Sequence, residues 1–106
     1  MLNNKQLIEI INGSLDTYNN LENLAEPVRR IAANDVAKSI YKSLPKRRPF
    51  LFKIITQHND EKFLNTEVFY LEPNENRKDF VSRSKKYLTD LHGSGVISYQ
   101  SINIDK

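Results

Sequence analysis

The chain contains no cysteine and no tryptophan, only three glycines and only two histidines. The missing cysteine excludes a disulfide framework, a thiolate zinc site and a cysteine nucleophile. It also fits a cytoplasmic protein, where thiol pairing has no part. With glycine so scarce, a phosphate loop has little material. The one candidate, Gly93-Ser94-Gly95, lacks a following Lys-Ser/Thr and precedes a strand-like run instead of a helix. Ser94 likewise lacks the strand–turn–helix setting of a nucleophile elbow. No long apolar run is present. The opening residues MLNNKQLIEIINGS hold a short apolar stretch interrupted by Glu9, which is expected to be neither a signal peptide nor a membrane span.

The two histidines carry the enzyme question. His58-Asn59-Asp60-Glu61 is the one compact acid/base cluster, and with a metal it would imitate a small nuclease site. No second ligand group has recognisable spacing, and a polar loop tip of this composition is routine. His92 stands at an expected helix end, where a cation suits the macrodipole. The expectation is therefore a protein without catalysis, cofactor or metal.

What is present is a globular composition. Of 106 residues, 39% are hydrophobic and 27% charged, with ten isoleucines, five tyrosines and five phenylalanines as core material. The length predicts one domain, residues 1–106, with one modest core. Ile, Asn and Lys together make up 32 residues, usage expected of an AT-rich coding genome such as those of low-GC bacteria, their plasmids and phages.

Periodicity orders the chain. In residues 5–21, Leu7, Ile8, Ile11, Leu15 and Tyr18 share one helical face. Gly13 is expected to weaken or break this helix, with Ser14 capping a second short one. Pro27 suits the first turn of a helix over 26–44, with Val28, Ala32, Ala33, Val36, Ala37, Ile40, Tyr41 and Leu44 as its apolar stripe. Pro45 stops it. PFLFKIITQ then alternates as a strand, and TEVFYLEP follows as a second, close enough for a hairpin. PNENRKDF opens a third helix with Phe80, Ser84, Tyr87, Leu88 and Leu91 on one face, closed by glycine. VISYQSINI reads as a last strand. Its apolar positions change parity between Tyr99 and Ile102, which predicts a bulge or a frayed end. The order is ααββαβ, and the fold class an α+β domain with a small three-stranded sheet packed with helices. Both faces of the strands carry apolar residues, so helices cover both, or one stays open for a partner. A winged-helix-like arrangement is a topological option. In it, the hairpin at 50–72 is the wing and the 26–44 helix enters the major groove.

Charge gives the clearest functional signal. The net charge is only +3, yet the bases are clustered. Arg29, Arg30, Lys38, Lys42, Lys46, Arg47 and Arg48 face a single acid, Asp35, within residues 29–48. Arg30, Asn34, Lys38 and Lys42 recur every four residues and so line one face of the helix, away from its apolar stripe. That face runs into Lys46-Arg47-Arg48, a corner held between two prolines. Such a stripe suits a phosphate backbone, because each neutralised phosphate releases counterions. A solvated helix face is the ordinary alternative. A second cluster, Arg77, Lys78, Arg83, Lys85 and Lys86, follows. Its first two bases oppose the dipole of the helix they begin, which makes a purely structural role less natural. The acids lie mostly at the N-terminal end and around the hairpin, so the molecule is expected to be bipolar.

Aromatic residues add a further option. If one sheet face is open, Phe69 and Tyr99 are candidates for a base-stacking or partner face with Lys53 nearby. The expected function is a small non-catalytic nucleic-acid-associated protein, with DNA ahead of RNA. It would act as an accessory subunit or regulator beside a larger replication or processing enzyme, such as that of a mobile element. The alternative is a protein-binding module, an inhibitor or dimerising adaptor. A protein partner or self-association is expected, and no membrane.

Overall fold

A reciprocal cap starts the first helix. The Gln6 N–H donates to Asn3 Oδ1 (2.8 Å), and the Asn3 N–H donates to Gln6 Oε1 (2.9 Å). The computed structural model describes residues 2–21, 25–45, 50–58, 64–71, 75–91 and 96–104. Helix α1 spans Asn4–Asn19, α2 Glu26–Ser43 and α3 Arg77–Leu91; strand β1 spans Leu51–His58, β2 Leu64–Tyr70 and β3 Val96–Asn103. The order ααββαβ and the α+β class are those expected. Among the described residues no helix is long and apolar enough to cross a membrane.

Helix α1 departs from expectation by running unbroken through Gly13. Leu7, Ile11, Leu15 and Tyr18 are all buried, and their anchoring outweighs one poor helix former. A Cβ built at Gly13 would meet nothing within 4 Å. Gly13→Ala is therefore expected to stabilise the protein by up to about 1 kcal/mol. Urea denaturation checks this, and an unchanged midpoint would mean that the helix is not continuous there.

The sheet is antiparallel with order β2-β1-β3. Phe52 pairs with Phe69 on one side and Asn103 on the other, and Thr56 pairs with Tyr99. Alternation therefore puts Phe52, Ile54, Thr56, Phe69, Tyr99 and Ser101 on a single face, and all six are buried. The helices pack there: Tyr18 of α1 meets Tyr99 edge-on at 5.9 Å, and Tyr87 of α3 meets Phe69 at 5.2 Å. One buried cluster takes residues from all six elements.

Two expectations are corrected. β3 has no bulge between Tyr99 and Ile102. Its pairing with β1 is regular there, and the irregularity lies at Gln57/His58. Apolar parity misled because Ser101 takes an inward position, with its N–H and hydroxyl both directed to Asn12 Oδ1 at 2.7 Å. A satisfied serine can be buried at little cost. The winged-helix option also falls. The hairpin is not a free wing: β1 is the central strand, β3 completes the sheet, and α3 packs along α2.

Candidate nucleic-acid interface

Helix α2 supplies the first bases. Ala33, Val36, Ala37 and Ile40 are buried, which turns Arg30, Lys38 and Lys42 to solvent, with Asn34 partly exposed between them. Arg30 holds Glu26 at 2.6 Å in an exposed i,i+4 pair, worth at most about 1 kcal/mol and easily exchanged for another anion. Arg29 leaves this face: it lies near enough to the Tyr18 hydroxyl to act on its ionisation.

The Asp79 N–H donates to Asn76 Oδ1 (2.9 Å), capping the start of α3. Arg77, its first residue, thereby comes beside α2. An open cleft of about 640 Å³ is lined by Lys38, Lys42 and Arg77, together with Asp35, Ser39 and Tyr41. Three bases from two distant parts of the chain converge there against one acid. Positive charge at the end of a helix adds to the macrodipole, so Arg77 and the α3 N-terminus act in the same sense on an anion.

The remaining bases divide differently. Arg83 is committed to the fold. Its fork meets the Glu75 carboxylate at 3.0 and 2.9 Å, it donates to the Tyr70 carbonyl, and its guanidinium lies 5.3–5.7 Å from the rings of Phe69, Tyr70 and Phe80. It fastens α3 to the end of β2, so the acid Glu75 is an internal partner of this base. Lys78 and Lys85, seven residues apart, share one face of α3, and Lys86 turns away from it. Lys53 lies on the sheet face opposite the helices.

Lys46, Arg47 and Arg48 fall outside the described residues, as do Asn59, Asp60, Glu61 and His92. Phe69 and Tyr99 are not an exposed stacking or partner face: they are 3% and 4% exposed and point into the helices. Their strand parity equals that of Phe52, which the core requires. Among the described residues no three His, Cys, Asp or Glu side chains come together to hold a metal ion.

Sequence spacing alone could have added Asp35 and Ser39 to the Lys38–Lys42 face, since all four lie within two turns. Arg77 carried no such signal, because only the α2–α3 packing brings it there. No family model, curated protein or solved structure matches the chain.

Proposed function

We propose that this is a small non-catalytic nucleic-acid-associated protein, an accessory subunit or regulator that adds a grip on DNA to a larger replication or processing enzyme, as a mobile element would use. The observation that carries the reading is the convergence of Lys38 and Lys42 with Arg77 on one open cleft. Phosphates are spaced point charges, and a stiff row of bases that ends in a second cationic element matches them.

Titration of labelled single- and double-stranded DNA of equal length, across a salt series, tests this. Binding should weaken as salt rises. The triple variant Lys38→Gln, Lys42→Gln, Arg77→Gln should lower the log–log salt slope by about 2 to 3, since each lost phosphate contact removes roughly 0.9. The three residues are exposed, so the fold should persist, as far-UV circular dichroism would register. No binding at low salt, or a slope untouched by the triple change, would sink the reading.

The second reading, a protein-binding module with no nucleic-acid contact of its own, draws on a different observation: the sheet face away from the helices carries apolar side chains.

A further inference from the structure

One hydrogen bond fixes the direction of every backbone group in the sheet. The Leu51 carbonyl accepts the Ile104 N–H at 3.1 Å. Leu51 and its alternates on β1 therefore turn their N–H and C=O towards β3, and Phe52, Ile54 and Thr56 turn theirs towards β2. On β2, Asn65, Glu67 and Phe69 bond back to β1, whereas Thr66, Val68 and Tyr70 project their backbone groups from the outer edge. On β3 the projecting residues are Tyr99, Ser101 and Asn103. Two side chains agree with this assignment. The Ser101 N–H is taken by Asn12 Oδ1 of α1 at 2.7 Å, and the Tyr70 carbonyl is taken by Arg83 of α3.

The two edges are thus treated differently. Helix α1 lies along β3 and plugs its edge with Asn12. On β2, Arg83 covers the last residue. Among the described residues, the outward N–H and C=O of Thr66 and Val68 meet no partner. Nor does β2 carry a bulge or a proline, devices that keep an edge from pairing.

We infer that this edge takes up an extended segment of a partner protein as a fourth, antiparallel strand, with a basic side chain across from Glu67 and β-branched ones across from Thr66 and Val68. Donors and acceptors projected at strand spacing are matched by an extended backbone, whereas a helix has already spent its own. Charge decides between a partner and a second copy. With two copies of β2 fully overlapped about a two-fold axis, the midpoint of Leu64–Tyr70 is Glu67. It would face its own copy in a non-hydrogen-bonded pair, with Cα atoms about 4.5 Å apart, where like charges repel. Sliding the copies by one pair shortens the overlap to residues 66–70 or 64–68, and the first of these calls on the Tyr70 carbonyl that Arg83 holds. A Lys or Arg of a partner instead meets the exposed Glu67 carboxylate and fixes register. The inference rests on the sheet edge alone and holds whether or not the α2–α3 cleft binds DNA.

The test uses the full chain, isotope-labelled for NMR, and peptides of about nine residues with Val-Lys-Val at the centre. At saturation, amide exchange at Thr66 and Val68 should slow by about tenfold or more. Replacing the central Lys of the peptide by Glu should weaken binding about fivefold, and Glu67→Lys in the protein should reverse that preference. N-methylation of the two valines of the peptide, whose N–H groups face β2, should abolish binding. N-methylation of its Lys, whose N–H faces away, should not. Val68→Pro should also abolish it, with far-UV dichroism unchanged, because the Val68 N–H is outward and the bonds to β1 survive. The methylated peptides leave the protein untouched and decide the matter even if the proline disturbs β2. The cleft triple variant should bind the peptide as the parent does. The inference is overturned if no peptide binds, if the two methylation patterns act alike, or if the Lys and Glu peptides bind equally. It is overturned equally if light scattering finds a dimer that Val68→Pro dissolves.

Discussion

Truncating Phe52 to Ala is expected to remove about 3–5 kcal/mol of stability, a large part of what a domain of this size holds in total. Phe52 is 1% exposed on the central strand. Its ring lies 5.7 Å from Phe69, nearly parallel, and 6.0 Å from Phe50, and Phe69 in turn meets Tyr87 of α3. The cavity would open in the middle of this aromatic run, where the rigid rings of Phe50 and Phe69 limit collapse. Val68→Ala, on the other face of the neighbouring strand, should cost less than about 1 kcal/mol, because half of that side chain is already in water. Urea unfolding of both variants measures the contrast. Similar losses at the two sites would mean that both faces of the sheet are covered, and would remove the ground for a docking face.

That contrast also marks where sequence reasoning stopped. Strand alternation separated Phe69 and Leu71 from Val68 and Tyr70 without ambiguity. It could not say which pair faced the helices, because each face carries aromatic and aliphatic residues. The answer depends on Phe52 and Ile54 lying in register with Phe69 and Ser101, a long-range fact. The three helices were legible from their 3.6-residue stripes, and even Gly13 was visible as a weak point. What was not visible was how firmly Leu7, Ile11 and Leu15 hold that helix across it. The same division runs through the bases. The Lys38–Lys42 face follows from spacing alone, whereas Arg77 and Arg83, six residues apart on one helix, look alike in the sequence. Packing sends one to an open cleft and sets the other's charge against a carboxylate and three rings. A base in a cluster is thus a candidate contact only until the acids and rings around it are known.

The second large effect is expected in alkali. Burial pushes the Tyr18 phenol up to about 12, against a smaller downward pull from Arg29. Tyr87 is also pushed up to about 12, by burial first and the Glu67 carboxylate second. Tyr99 is raised further, by burial and then by Tyr18 and Tyr87. An unfolded tyrosine ionises near 10. The folded chain therefore keeps protons that the unfolded chain has released, and stability falls as pH climbs above about 10. Each such phenol contributes a slope of about 1.4 kcal/mol per pH unit, so the fully buried Tyr18 and Tyr99 together remove about 3 kcal/mol per unit. A domain holding roughly 5–10 kcal/mol at neutral pH should unfold cooperatively within two to three units above pH 10. Its 295 nm phenolate absorbance should rise together with the loss of far-UV dichroism. Tyr99→Phe offers the sharper check. The Tyr99 hydroxyl makes no hydrogen bond among the described residues, so its removal should leave neutral stability equal or higher and move the alkaline midpoint upward. Tyr18 differs, because its hydroxyl donates to the Leu88 carbonyl at 2.8 Å. Tyr18→Phe should therefore lose about 1 kcal/mol at neutral pH while also flattening the alkaline decline. Phenolate absorbance that rose in full near pH 10 with the dichroism intact would show that these rings reach water, and that the helices do not close over the inner face of the sheet.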